Sequence, residues 1–482
     1  MTKKTIIIGN HPLKNDLVRQ YEDMGGVVVC KQDLSADAIN MNEYDELCLL
    51  AGEGEDYKAV ALLEHFAITY DVGAHCGKKL VCHLLLQSVD VLRMLQMNDF
   101  CKAVREKIDV YPFTMEEVWG RSIVWDYEPV SFMSDKHVHV VIYGMGQIAE
   151  MVAIQVALVA HYPNYIRNHQ LRTRITMIDD EAELKSKDFT KRYQHLFDNS
   201  YYRIVKPSDD KPIVRFHKPM YEGKREDFVD VEWEFVEAEE WNADMREKLK
   251  LWANDEKQLL TIVLADKDGD KNKSRSLLLP QELYDRKIPI HIYSELSTGY
   301  DVTLPLVSIA KNVNYIYDKC YEENDAQWNG QLRHAVEIDW AERERSWARL
   351  KNVKRQSSIY NAMTIASKMR SIGLDEGDWT QFYSLSQQDI ELLGQVEHNR
   401  WSIEELILGF RPCTDEEESI IATDVKVQKN VYKARKIHYD LRAYHDLRPD
   451  GTGKPVQVYD LCLTSCLPLI AKAFADEKGG EE

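Results

Sequence analysis

The chain has 482 residues and a formal net charge of −19, with 44% hydrophobic and 29% charged residues. A chain of this length is expected to form about three domains, and its apolar content excludes wholesale disorder. So acidic a surface repels phosphate backbones, which argues against sequence-independent binding of nucleic acid.

The cysteine pattern and the N-terminus indicate where the protein works. Nine cysteines, an odd number scattered along the chain, favour reduced thiols over a disulfide framework. The first apolar run, Ile6–Ile8, is too short for a signal peptide, and no stretch approaches the length of a membrane span. We therefore expect a cytoplasmic protein with no direct membrane insertion.

Residues 1–130 predict a first α/β domain. Short, continuous apolar runs alternate with segments of helix length, which is typical of strands covered on both faces in a parallel sheet. The predicted strands are Ile6–Ile8, Val27–Cys30, Leu47–Leu50, Leu80–Leu86 and Ile108–Tyr111.

The same alternation restarts in residues 131–322 and predicts a second parallel sheet. A helix is expected over Gln147–Ala160, and an insertion of helix and loop over Lys185–Asp230. The repeated layout suggests a duplication. The predicted strands are Val138–Tyr143, Arg174–Ile178, Glu232–Val236, Leu259–Ala265 and Ile288–Tyr293, with Asn312–Tyr317 as a further candidate.

From residue 323 onward the pattern is helical, first as a connector (323–375) and then as an all-α region (376–482). Helices are predicted over Trp328–Asn352, Ser357–Ile372 and Leu385–Leu408. Gly373 is a plausible helix stop, and Ser384 or Ser386 a plausible cap of the last helix.

A glycine-rich loop directly follows the strand Val138–Tyr143 and opens a helix. Its first glycine permits a tight turn, its second lets a pyrophosphate approach the backbone, and alanine in the third slot still allows close helix packing. Asp179, at the end of the next strand, is placed to accept hydrogen bonds from a ribose diol. The alternative is a Rossmann scaffold that no longer binds a nucleotide. We favour nucleotide binding because the glycine loop, its position between a strand and a helix, and Asp179 all agree with it. The cofactor-binding candidates are Gly144, Gly146, Gln147, Ile148, Ala149 and Asp179.

Other loops give weaker signals. The first half has Gly9-Asn10-His11-Pro12 where a phosphate loop would lie, so that half is expected to be structural or dimerising. The acidic loops Gly52–Asp56 and Asp266–Asp270 suggest calcium binding. However, Asp266–Asp270 lacks the distal glutamate and the flanking helices of an EF-hand, so solvated loops and no metal site are expected. In residues 131–322 no group of His or Lys residues indicates a catalytic acid or base beside a nicotinamide.

The helix Leu385–Leu408 presents Arg400 and Trp401 on a polar face. Trp401 is able to stack a base while Arg400 meets a phosphate. The alternative is an internal Glu–Arg network over a buried tryptophan, which chemistry alone favours. A basic cluster in an acidic chain also suggests an anion pocket, made of Lys433, Arg435, Lys436 and His438.

Two family resemblances cover most of the chain. Residues 1–320 resemble tandem TrkA-N modules, the Rossmann-type units of potassium-transport regulators. Residues 355–475 resemble the RyR domain, a helical module named for ryanodine-receptor repeats. The first rests on Val140–Gly146, Ile175–Asp179 and Val263–Asp266, and the second on Glu397-His398, Arg400-Trp401, Gly409-Phe410-Arg411, Lys436, His438, Leu441 and Tyr459-Asp460. Where this chain has Phe410–Cys413, the RyR family favours Trp-Arg-Tyr-Gly, and where it has His438-Tyr439, the family favours His-Pro. These differences leave the ligand preference open.

The resemblance implies two tandem Rossmann-like domains followed by an all-α RyR domain. It implies that the second TrkA-N unit binds NAD(H) or a related adenine nucleotide. We expect a homodimeric regulatory protein that binds a small nucleotide-type ligand and acts on an unidentified protein partner. The alternatives are an enzyme acting on a nucleotide or nicotinamide cofactor, and an interaction scaffold with non-binding units. The RyR module is expected to sense a small ligand through Glu397, Arg400, Trp401, Arg411, Lys436 and His438.

Overall fold

The computed structural model describes residues 3–470 apart from 36–38, 99, 125–128, 207–210, 222–224, 240–242, 295–299, 301–305, 323–337, 375–384, 425, 450–454 and 468. The chain divides into two compact units. The first unit is Met1–Ser122, Ser294–Pro305 and Ala348–Gln356, and the second is Ile123–Tyr293, Leu306–Trp347 and Ser357–Glu482. The domain boundaries expected at 130, 322 and 375 stay predictions.

The first unit is built on a five-stranded parallel sheet in the order β2-β1-β3-β4-β5. Alternate residues of β1 enter different hydrophobic clusters, Ile6 and Ile8 on one face and Ile7 on the other. The continuous apolar runs therefore mark strands covered on both faces, as predicted. The elements are β1 (Lys4–Gly9), α1 (Lys14–Asp23), β2 (Val27–Lys31), β3 (Glu46–Leu50), α2 (Asp56–Thr69), β4 (Leu80–Leu85), α3 (Val89–Met97), α4 (Lys102–Lys107), β5 (Ile108–Phe113) and α5 (Met115–Val124).

The second unit contains a seven-stranded sheet in the order β12-β11-β6-β7-β10-β8-β9, parallel except for the edge strand β9. Five of its strands lie where the sequence predicted them. The elements of this sheet region are β6 (His137–Tyr143), α6 (Gln147–Val159), α7 (Asn164–Arg167), β7 (Thr173–Asp179), α8 (Ala182–Arg192), α9 (Gln194–Asp198), β8 (Tyr201–Lys206), β9 (Ile213–His217), β10 (Val231–Glu237), α10 (Ala243–Asn254), β11 (Gln258–Leu264), α11 (Gly269–Leu278), α12 (Gln281–Asp285) and β12 (Ile290–Ile292).

The rest of the chain is mainly helical. Ser386 caps the longest helix through a reciprocal capping box with Asp389, and Gly373 has a φ of +80° just after α15. The elements are α13 (Leu306–Glu322), α14 (Trp340–Arg349), α15 (Asn352–Ser371), α16 (Gln387–Ile407), β13 (Arg411–Pro412), α17 (Asp415–Thr423), β14 (Ile437–His438) and α18 (Gln457–Ser465). Residues 328–337 of the helix predicted over Trp328–Asn352, and Ser384, lie outside the described residues. Among the described helices, none is both long and apolar enough to cross a bilayer.

The strand considered for Asn312–Tyr317 is wrong, because this run lies inside α13. Its neighbours explain the error. Buried side chains recur at helical spacing from Leu306 through Ile309, Val313 and Ile316, and only a short middle section, rich in aromatic and β-branched residues, looks like a strand.

The insertion predicted over Lys185–Asp230 holds two strands in addition to helix and loop. β8 pairs in parallel with β10, and β9 pairs antiparallel with β8. The segment Tyr201–Lys206 is rich in aromatic and β-branched residues, a strand signal that the surrounding charges obscured. The insertion therefore extends the sheet at one edge.

The two sheets do not share one layout, so the predicted duplication of a single arrangement is wrong. The first sheet has the flavodoxin-like order 2-1-3-4-5. In the second, β10-β7-β6-β11-β12 follows the Rossmann order 3-2-1-4-5, with β8 and β9 added beyond β10. Hydrophobic runs predict both parallel sheets but carry no information on strand order.

Cys320 on α13 and Cys462 on α18 are paired as a disulfide across 142 residues of sequence. This pairing departs from the expectation of reduced thiols throughout. The two helices pack together in the second unit, and such a long-range neighbourhood is not visible in cysteine spacing. Within the described part of the chain, the other seven cysteines form no disulfide.

Candidate functional site

The glycine loop connects β6 to α6 in a conformation that needs glycine at its first position. Gly144 has a φ of +106°, a region that side chains with a Cβ rarely adopt. Its amide donates to the Ile178 carbonyl at 2.8 Å, and a Cβ placed on it would lie 3.7 Å from the Ala265 carbonyl oxygen. The turn therefore lies where the ends of β6, β7 and β11 meet.

Helix α6 begins directly after this turn. Gly146 is its N-cap, with an extended backbone, and the Glu150 amide donates to the Gly146 carbonyl at 2.9 Å as the first helical bond. A Cβ on Gly146 would meet no atom within 4 Å, so the space beside it is open. Ile148 and Ala149 bury their side chains, while their amides belong to the helix's first turn, which favours anions. Gln147 is exposed.

The loop lies at the topological switch point of the second sheet. β6 lies between β11 and β7, and the chain continues from it to β7 on one side and later to β11 on the other. In open parallel sheets, ligands bind in the crevice outside the carboxyl ends of strands at such a point. The predicted phosphate loop is therefore in the expected place.

Asp179 ends β7 and is tied to the loop. Its Oδ2 accepts from the Met145 amide at 3.0 Å, and its Oδ1 accepts from the Glu181 amide at 2.9 Å and from Lys185 Nζ at 2.7 Å. Burial raises the pKa of Asp179, but the hydrogen bonds from Lys185 and Glu181 outweigh burial and hold the pKa below the usual carboxyl value. An ionised acceptor is thus present next to the loop.

Asp179 is followed by two more acids, and the carboxylates of Asp179, Asp180 and Glu181 lie within 4.8 Å of one another. Asp180 shares a hydrogen bond with Asp179, which raises the pKa of Asp180. Exposed acidic groups are common without a cation, so the cluster by itself identifies no metal. It does give this end of the crevice a negative charge.

Three cations that the sequence did not single out also surround the crevice. Lys185 pairs with Asp179, while Lys271 and Arg275 on α11 reach Asp266 Oδ2 at 2.8 and 3.0 Å. Arg275 is buried together with Asn272, one helical turn earlier. Polar residues surround both positions in α11, so the sequence carries no local signal that distinguishes Arg275.

The RyR-type candidates Glu397 and Arg400 lie in a buried ion network rather than at the surface. Glu397 accepts from Lys368 Nζ at 2.6 Å and from Arg400 Nε at 2.9 and 3.0 Å. Arg400 Nη1 also donates to Glu404 Oε2 at 2.7 Å, and these side chains are 2–3% exposed. Burial raises the pKa of Glu397, but Arg400 and Lys368 outweigh it and lower the pKa to about 2. The arrangement matches the Glu–Arg network of the alternative interpretation, but Trp401 is half-buried rather than buried beneath it.

Trp401, Lys436 and His438 do come together, in a cluster with Phe410. His438 is buried, whereas the other three side chains are half-buried. The rings of Trp401 and His438 lie 4.9 Å apart edge to face, and Phe410 lies 5.9 Å from His438. Lys436 Nζ sits 4.5 Å above the Phe410 ring and donates to the Leu408 carbonyl at 3.2 Å. Aromatic faces beside an ammonium group suit a planar anionic ligand. We call these four residues the aromatic cluster.

Arg411 is engaged elsewhere. Its guanidinium donates to both carboxylate oxygens of Glu417, at 2.8 and 2.7 Å. Glu417 also accepts from the Thr414 amide in the capping box of α17. Arg411 therefore anchors the start of α17 in this structure.

His398, one residue from Glu397, is buried beside a carboxylate inside the helical region. Nε2 donates to the Arg442 carbonyl at 2.9 Å, and Nδ1 lies 3.4 Å from Asp460 Oδ2. Burial lowers the pKa of His398, but the hydrogen bond and charge of Asp460 outweigh it, with Asp440 adding to them, and the pKa rises above its usual value.

Because the folded-state pKa is raised, the His398–Asp460 pair stabilises the fold fully below the unfolded imidazole pKa and loses this contribution as pH rises through the folded pKa. Asp460→Asn should therefore cost more stability at about pH 6 than at about pH 8.5. Urea unfolding of wild type and variant at both pH values measures the difference. An equal loss at the two pH values would show that His398 is neutral when folded.

Helix α6 connects the sheet to the helical region. Every residue from Met151 to Val159 is buried, and the helix contacts β6, β7 and α16. A helix apolar on all sides is expected only where both sides are covered. The first turn of α6 thus belongs to the candidate site, and its body packs against the helix that carries Glu397 and Arg400.

The remaining loops considered from sequence have structural roles. A Cβ on Gly9 would lie 2.1 Å from the Leu50 carbonyl oxygen, so this glycine serves close packing of β1 and β3. Asp56 accepts from the amides of Gln87 and Ser88, and Asp268 caps α11.

Comparison with known proteins identifies no family for this chain. No family model matches the chain, and no curated protein matches it. The solved structure of NtrX from Brucella abortus aligns with 90% of this chain and 98% of its own at 9% identity, with a TM-score of 0.15. A score that low carries no argument about fold or function. From its own strands and helices, the chain is a mixed α/β protein with two Rossmann-like, mainly parallel sheets and many helices.

Proposed function

We propose that this chain is a nucleotide-binding regulatory protein with its site at the Gly144 loop. The observation that carries the proposal is the joint position of the loop, the start of α6 and the Asp179 carboxylate at the switch point of the second sheet. Phosphates would meet the first turn of α6, and a ribose diol would meet Asp179. NAD(H) or a related adenine nucleotide has both groups.

The charge of the crevice favours an unphosphorylated ribose. Asp179, Asp180 and Glu181 place three carboxylates where a ribose would bind, so a 2′-phosphate would face like charges. NAD(H) should accordingly bind more tightly than NADP(H).

The regulatory part of the proposal rests on α6. A ligand that repositions the first turn of this helix acts on a body that packs against α16. Typical coupling between two such sites amounts to about 1–3 kcal/mol. The resemblances to TrkA-N and RyR modules, which imply nucleotide binding and ligand sensing, favour this route.

The aromatic cluster is the proposed second ligand site. The half-exposed rings of Trp401 and Phe410, with Lys436 beside them, support a planar anionic ligand there. In this proposal Glu397 and Arg400 hold α16 in place and Arg411 holds α17, so ligand contacts are limited to Trp401, Lys436, His438 and Phe410.

An enzyme and a non-binding scaffold remain the rivals, and two simple readouts separate them. A sensor binds NADH and leaves it unchanged, whereas an oxidoreductase or hydrolase consumes the cofactor. A scaffold binds no nucleotide.

Titration by calorimetry and thermal shift tests the proposed site, with NADH, NADPH, ADP-ribose and AMP as ligands. A ligand at about 100 times its Kd should add about 2.7 kcal/mol of stability. Gly146→Asp should abolish binding, because it adds a negative charge at the helix start without a positive φ or a steric clash. Gly144→Asp is a poorer test, because the φ of +106° would strain it.

The matched control is Gln170→Asp, which adds the same charge to an exposed residue ahead of β7, at the opposite end of that strand from Asp179. It should bind as wild type does. Equal affinity of Gly146→Asp and Gln170→Asp for NADH would remove the loop from the site.

A further inference from the structure

Arg275 is a buried cation at the edge of the candidate crevice. Its side chain is 4% exposed, and Nη1 lies 3.0 Å from Asp266 Oδ2. Asp266 directly follows Ala265, whose amide donates to the Tyr143 carbonyl and whose own carbonyl lies beside Gly144. The guanidinium is therefore held close to the glycine loop, on the β11 side.

The electrostatic surroundings agree with this position. Burial lowers the pKa of Arg275, and the charges of Asp179, Tyr143 and Asp180 oppose that effect. These residues lie at the ends of β6 and β7. The positive charge of Arg275 therefore interacts with groups on the far side of the crevice as well as with Asp266 on its own side. A guanidinium remains protonated at any ordinary pH and brings a permanent positive charge.

Asp266 does not depend on Arg275 as its partner. Its Oδ2 also lies 2.8 Å from Lys271 Nζ, and its Oδ1 accepts from the Asp268 amide at 3.0 Å. If Arg275 turned to another anion, Asp266 would keep an ammonium and a backbone donor. The exchange of partners therefore leaves no buried carboxylate without a hydrogen bond.

We infer that Arg275 binds the second phosphate of a nucleotide pyrophosphate, exchanging Asp266 for the phosphate oxygen. The first phosphate occupies the start of α6, as in the proposed function on which this inference rests. A guanidinium fork matches two phosphate oxygens at once, which an ammonium group does not. The site accordingly selects a diphosphate-bridged nucleotide over a nucleoside monophosphate.

The test compares ADP-ribose with AMP on the full chain by calorimetry. Arg275→Met should weaken ADP-ribose binding about 10- to 100-fold, the usual size of one charge-assisted contact, and leave AMP affinity nearly unchanged. Arg275→Lys should recover part of the loss. Lys273→Met is the matched control, because Lys273 is exposed on the same helix and pairs with Asp270; it should bind both ligands as wild type does.

The possible results are distinct. An equal loss for ADP-ribose and AMP, or no loss for either, would overturn the role of Arg275 while leaving nucleotide binding intact. A lower melting temperature of ligand-free Arg275→Met with an unchanged affinity ratio would also overturn it, since that pattern reports a structural ion pair. Failure of wild type to bind either ligand would reject the proposed function itself.

Discussion

Glu397→Ala is expected to lower the free energy of unfolding by about 3–5 kcal/mol, because it leaves buried cations without their carboxylate. Glu397 accepts from both Lys368 and Arg400, and all three side chains are almost fully buried. Arg400 retains Glu404, so the heavier cost falls on Lys368, whose pKa burial already lowers. Urea denaturation near neutral pH measures the change.

A control for this prediction lies on the same helix. Glu391 is exposed, and Glu391→Ala should change stability by no more than about 0.5 kcal/mol. Glu397→Gln preserves the shape of the side chain and should fall between the two. A loss below about 1 kcal/mol for Glu397→Ala would mean that the network contributes little to stability.

Gly9→Ala should prevent the first unit from folding or cost more than about 3 kcal/mol. The added Cβ would lie 2.1 Å from the Leu50 carbonyl oxygen, and both residues are fixed by pairing of β1 with β3. The φ of Gly9 is +128°, which adds strain to the clash. Yield of folded protein and the urea midpoint report the effect.

Gly54→Ala separates the two causes. Gly54 also has a positive φ, +72°, but a Cβ there would meet no atom within 4 Å. Backbone strain alone should cost about 1–2 kcal/mol. Equal stability of the two variants would show that the close approach of β1 to β3 is not the reason for the glycine.

The sequence predicts the parallel sheets well, because strands buried on both faces leave continuous apolar runs. The same runs do not reveal which strands are neighbours, so the orders of the two sheets came only from the structure. In α13 the short segment 312–317 was misleading because the helical spacing of buried side chains extends beyond it on both sides. The pairing of Cys320 with Cys462 depends on two helices meeting over a separation that no local pattern records.

The candidate site was predictable where chemistry is local. Gly144, Gly146 and Asp179 lie together because a loop, a helix start and a neighbouring strand end are geometrically linked in any such sheet. Arg275 was not predictable, because α11 follows a different strand and its buried face appears only after the sheet closes. Trp401 and Arg400 are adjacent in sequence, yet α16 directs Arg400 into its buried ion network and leaves Trp401 half exposed, a division set by what packs against each face.

Helix α6 has no side that faces water along most of its length, and this limits how the molecule is able to respond to a ligand. Thirteen residues make a rod of roughly 20 Å. Close-packed interiors compress little, so a displacement at one end is not absorbed along the rod. A loop movement must therefore be passed to whichever neighbour yields first. The relative stiffness of the sheet and of α16 then determines whether ligand binding displaces α16.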